Sequence, residues 1–181
     1  MSTKTEATIE DLYKVDGKAE LVDGEIVHMS PTGGRPSFAA RAIVLSLYEY
    51  EKRTRSGHAV TDNAAFTVNL PHRKSLSPDA AFYVGGEITM KFFEGAPVFA
   101  AEVRSEGDYG PKAEEAMARK RADYFAAGTQ VVWDVDLLSE TPVRVFRAGE
   151  PESPALYRRG ETAEAEPALP GWTMPVDGLF V

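Results

Sequence analysis

The chain has 181 residues, 43% hydrophobic and 10% aromatic, a make-up that suits one folded domain with a sizeable core and excludes a disordered chain. It contains no cysteine, which excludes a disulfide framework and any thiolate metal site. Twenty Lys and Arg against twenty-eight Asp and Glu leave a net charge of -8, so any contact with nucleic-acid phosphates has to be local rather than spread over the surface.

The opening MSTKTEATIEDLY lacks the apolar stretch of a secretion signal, and no run of about eighteen apolar residues occurs anywhere, so a cytoplasmic chain without a membrane span is expected. Thr8, with Asp11 three residues on, predicts a capping box and a short first helix. ELVDGEIVHM alternates around Asp23-Gly24, the dipeptide of a tight hairpin. SPTGGRPS reads as a loop, and from Ser37 to about Arg55 the spacing of Phe38, Ala42, Ile43, Leu45 and Leu47 predicts a helix ending in Lys52, Arg53 and Arg55.

Strand-like runs follow: HAVTD, AAFTVNL, PDAAFYV and PVFAAEV. Pro111 predicts the first turn of a second long helix, running to about Ala127 and stopped by Gly128. TQVVWDVD, VRVFRAG and ALYRRG read as further strands, and EPALPGWTMP as an irregular tail. The pattern predicts an α/β (α+β) sandwich, a mixed sheet flanked by helices, in one domain over residues 1–181.

Two acids stand out in this pattern. Asp79 opens the apolar run PDAAFYV, and Glu102 interrupts PVFAAEV, where a carboxylate costs several kcal/mol unless it is paired or holds a cation. If the two strands are neighbours, about 4.8 Å apart, the carboxylates can share one hard cation. Mg²⁺ suits two protein oxygens plus waters, and there it supplies a reactive water and stabilises charge on a phosphoryl oxygen. A nearby side-chain cation would assist. Arg104 lies on the same strand face as Glu102, and Lys120 can reach the centre from a helix packed on that strand. The competing reading is a buried ion-pair network with no metal.

AELVDGEIVHMSP, SPDAAF, VFAAEVRS and KRADYFAAGTQVVWDVD, in this order, resemble the Uma2 family, formerly a domain of unknown function. The resemblance covers about Glu20 to Phe146. It implies a PD-(D/E)XK restriction-endonuclease-like fold and a divalent-metal-dependent endonuclease using Mg²⁺ or Mn²⁺. It also implies that Asp79 and Glu102 are metal-binding acids, with Glu20 a further acid. The slot that usually holds a lysine after Glu102 holds Arg104. A lysine on the following helix, ahead of a Tyr and a Gly, matches Lys120 with Tyr124 and Gly128, so Lys120 is expected as the catalytic lysine and Arg104 as an auxiliary charge. Arginine keeps the charge but cannot act as a base.

No histidine role carries over. His28, His58 and His72 read as loop or sheet residues, Trp133 and Tyr124 as core aromatics, Ser105 as a turn hydroxyl, and Asp134 and Asp136 as caps beyond a strand. The expected partners are nucleic acid, DNA before RNA, and a second copy of the chain, because a homodimer or higher oligomer would gather the scattered basic clumps. The alternative is a catalytically inactive module that keeps the fold for binding or assembly.

Overall fold

The computed structural model describes residues 6–181. In chain order the elements are α1 (Ile9–Leu12), β1 (Ala19–Val22), β2 (Glu25–His28), α2 (Gly34–Thr54), β3 (His58–Val60), β4 (Phe66–Thr67), β5 (Ser75–Leu76), β6 (Ala80–Tyr83), β7 (Phe93–Glu94), β8 (Phe99–Val103), α3 (Pro111–Ala126), β9 (Val131–Val135), β10 (Val143–Arg147), β11 (Glu150–Tyr157), β12 (Thr162–Glu164) and β13 (Thr173–Pro175). A 3₁₀ turn, Val176–Leu179, follows.

Six strands form the main sheet, in the order β11-β10-β9-β8-β6-β3. Every neighbouring pair is antiparallel except β8 and β9, which are parallel. The exception follows from the connection: the chain leaves β8, passes through α3 and returns, as a parallel pair requires. Side chains alternate between two cores. Phe82, Phe99, Ala101 and Trp133 pack towards α2 and the C-terminal segment, while Ala81, Ala100 and Val132 share the other face with Tyr124 of α3 and Phe66 of β4.

Local signals explain several boundaries. Thr8 and Asp11 form the reciprocal capping box. Asp23 and Gly24 both adopt positive φ, 51° and 70°, as a two-residue primed hairpin turn demands. α2 begins at Gly34 rather than at Ser37, because the first helical turn tolerates Pro36, whose missing N–H needs no partner there. β11 starts earlier than ALYRRG and carries Pro151 and Pro154, which an edge strand accepts.

One expectation is corrected and another refined. Asp134 lies inside β9 and is 4% exposed, so it faces buried partners rather than capping the strand. The C-terminal tail is irregular over 166–172, as expected, but Thr173–Pro175 form β13 against β12, and Trp172 is 2% exposed against Trp133 and Phe99, with ring centroids 5.0 and 5.4 Å away. Apolar burial of that size anchors the tail in spite of its Pro-rich composition. Among the described residues, no helix is long and apolar enough to cross a membrane.

Candidate functional site

The register of β6 against β8 pairs Ala80 with Ala101, and the Asp79 N–H extends it by donating to the Ala101 carbonyl at 3.1 Å. Asp79 and Glu102 therefore stand opposite one another on adjacent strands. Ala81 and Ala100 pack on the α3 face, so alternation by two places both carboxylates on that face as well. Asp79 Oδ2 accepts the Val103 N–H at 2.7 Å, which ties its carboxylate to β8.

α3 supplies two further groups. Lys120 and Tyr124 are four residues apart and so project from one side of the helix. Glu102 Oε1 accepts the Tyr124 hydroxyl at 2.6 Å and lies 2.8 Å from the Lys120 ammonium. The same ammonium lies 2.9 Å from Oε1 of Glu20, which β1 brings in from the hairpin. Glu20 also accepts the Ser77 N–H on Oε1 and the Arg73 guanidinium on Oε2, at 2.7 and 2.6 Å. Lys18, just before β1, donates to Asp79 Oδ1 at 2.7 Å and to Asp62 Oδ1 at 2.6 Å.

The network continues away from the pair. Arg73 donates to Asp123 at 2.6 Å, and the other oxygen of Asp123 lies 2.6 Å from His72 Nε2. His72 thus has an acidic partner 51 residues away, a pairing that sequence spacing could not show. Five carboxylates, those of Glu20, Asp62, Asp79, Glu102 and Asp123, face Lys18, Lys120 and Arg73, so the acids of the cluster outnumber its lysines and arginine.

The carboxyls respond differently to this setting. Burial pushes the Glu102 pKa up against the lowering pull of Lys120 and Lys18, and the nearby Asp79 and Glu20 charges add to the rise. For Glu20, burial is outweighed by Lys120 and Arg73, which hold its carboxyl below the usual range. Burial opposes the charge on Lys120, yet Glu102 and Glu20 prevail and raise its pKa. Lys18 is raised too, with Asp79 and Glu102 overcoming its burial. Burial and the Glu102 charge push the Tyr124 phenol well up.

Arg104 is placed elsewhere. It shares the α3 face with Glu102, as alternation predicts, but it lies just past the end of β8. There it makes a two-pronged pair with Asp134, both bonds 2.9 Å, and bonds Glu114 of α3. Its fork is taken up by these two carboxylates, so it is not brought to the Asp79 and Glu102 oxygens.

The Uma2 family, described as "Putative restriction endonuclease", matches residues 7–177. The chain belongs to the Uma2 family. The match extends beyond the stretch from about Glu20 to Phe146 that carries the resemblance, and takes in the ordered C-terminal segment. The crystal structure of "a putative nuclease belonging to DUF820" from Anabaena variabilis has the same fold, with a TM-score of 0.75 over 96% of this chain and 97% of that one at 18% identity. No curated protein matches the chain in sequence.

Within this Uma2 chain, two site neighbours escaped the sequence. Tyr124 does sit in the core, 0% exposed, but its hydroxyl ends on Glu102, and its place four residues after Lys120 was the available signal. Lys18 carried no signal, because its partners lie 44 and 61 residues away.

The donor chemistry fits a hard cation. Both hydrogen-bonded contacts to Glu102 fall on Oε1, and its side chain is 25% exposed, which leaves Oε2 on the solvent side of the pair. Among the described residues, no three Asp, Glu, His or Cys side chains gather into a cage. A pair of carboxylates is what Mg²⁺ accepts when it keeps several of its waters.

Proposed function

We propose that this Uma2 chain is a divalent-metal-dependent endonuclease that hydrolyses phosphodiester bonds of nucleic acid, with DNA as its substrate. The observation that carries the reading is the juxtaposition of Asp79 and Glu102 on neighbouring strands, with the Lys120 ammonium 2.8 Å from Glu102. The family's description as an endonuclease supports it. Asp79 and Glu102 would hold Mg²⁺ or Mn²⁺, which when bound supplies a water of lowered pKa and stabilises charge on a phosphoryl oxygen.

The remaining residues orient and neutralise. Tyr124 fixes Glu102 by its Oε1, which leaves Oε2 for a cation. Lys120 stays protonated at neutral pH, so it serves as a positive donor towards the phosphate or the attacking water rather than as a base. Glu20, with both oxygens engaged, acts through Lys120 by holding its ammonium beside Glu102. Arg104 acts at a distance, as a charge that anchors α3 and β9 beside the site. A second copy of the chain would gather basic clumps around one duplex, and sedimentation as a monomer at micromolar concentration would remove that part of the proposal.

The test is cleavage of plasmid and of single-stranded DNA in Mg²⁺ or Mn²⁺. Wild type should cut and lose activity in a chelator, and Asp79→Ala and Glu102→Ala should each abolish cutting. Unchanged activity in both variants would contradict the assignment.

One observation favours a second reading. Lys18 and Lys120 already neutralise Asp79 and Glu102 in the protein alone, as they would in a catalytically inactive binding or assembly module. Under that reading Asp79→Asn keeps function and no divalent metal binds below millimolar concentration.

A further inference from the structure

Lys18 has no part in the reaction proposed above, yet it makes the most direct contact with one of the two candidate ligands. Its side chain is 13% exposed, and its ammonium bridges Asp79 Oδ1 and Asp62 Oδ1. Asp79 spends its other oxygen on the Val103 backbone N–H, a bond built into the β6–β8 register. The oxygen open to exchange is therefore Oδ1, the one that Lys18 holds.

An ammonium and a divalent cation repel each other strongly at contact distance, so the two compete for one carboxylate oxygen. Lys18 has somewhere to go. Asp62 belongs to the stretch between β3 and β4 and its side chain is 42% exposed, so a lysine that releases Asp79 keeps an ion pair within reach of water. Asp79, at 11%, has no such alternative and needs a cation at all times.

We propose that Lys18 is the counter-ion that a divalent cation replaces on Asp79, so that Lys18 positions the empty carboxylate and sets the metal affinity of the site. On arrival of the metal its ammonium withdraws to Asp62. The inference rests on the nuclease reading for the identity of the ligand pair.

The test is Mn²⁺ titration calorimetry on the full chain, wild type against Lys18→Met, without nucleic acid, together with a crystal structure of the wild type soaked in Mn²⁺. Removing the competitor should tighten Mn²⁺ binding by about tenfold, equivalent to about 1.4 kcal/mol. The variant should melt below wild type without metal and recover more than wild type does in saturating Mn²⁺. In the soaked crystal the ammonium should stand on Asp62 and off Asp79. Equal affinities, or Mn²⁺ on Asp79 with the Lys18 contact still at 2.7 Å, would overturn this inference alone. Mn²⁺ that binds neither protein up to millimolar concentration would overturn it and the metal-dependent reading together. If Lys18→Met does not fold, the wild-type crystal still decides.

Discussion

At the scale of single residues, the two acids were legible because a carboxylate inside an apolar strand run demands compensation, and Asp79 and Glu102 both stand in such runs. What compensates them was only half legible. Lys120 could be placed by a helix following the strand, whereas Lys18 reaches Asp79 across 61 residues because the β1–β2 hairpin lies against the β5–β6 segment, a tertiary fact with no local signature. The Lys120 pairing has a measurable consequence. Lys120→Met leaves Glu20, 3% exposed, with Arg73 as its one remaining charged partner among the described residues, and leaves Glu102 with Lys18 alone against the charges of Asp79 and Glu20. Breaking a buried pair in this way costs about 3 kcal/mol, to be read as a lower urea midpoint at unchanged m-value.

At the scale of elements, helices and the hairpin were readable from caps and turn chemistry, while the short strands were not. AAFTVNL contracts to Phe66–Thr67, since β4 pairs only with the two-residue strands β5 and β7. In the C-terminal segment the Pro-rich composition hides an anchor: Trp172 packs on Trp133 and donates its indole N–H to Ser46 at 3.1 Å. Trp172→Ala should cost about 3–5 kcal/mol, checked by chemical denaturation. A second tie joins the loop after β8 to the turn after β9, where the Tyr109 hydroxyl donates to Asp136 at 2.9 Å. Burial and this bond push the Tyr109 pKa up to about 12. Because the folded value is raised, the stabilisation is fully present below about pH 10 and is lost as pH rises towards 12. The difference between wild type and Tyr109→Phe in absorbance at alkaline pH should appear in that window.

At the scale of the molecule, the mixed sheet with flanking helices followed from the order of elements, but the site's electrostatics did not follow from the net charge. A chain of charge -8 carries a cluster whose acids outnumber its lysines and arginine, so both the bulk and the site favour cations over phosphates. Duplex binding should then depend on a few local Lys and Arg, and the logarithm of affinity should fall with the logarithm of salt at a slope no steeper than about -4, as a handful of phosphate contacts gives. A steeper slope in a filter-binding series would reveal a broad basic surface.

The most direct measurement is the single-turnover cleavage rate of a labelled DNA duplex in Mg²⁺ by wild type and by Glu102→Gln. This change keeps the shape of the side chain and an oxygen for Tyr124 while removing the charge. The expected result is a folded variant slower by about a thousandfold, close to 4 kcal/mol of lost transition-state stabilisation. Equal rates in the two proteins would contradict it.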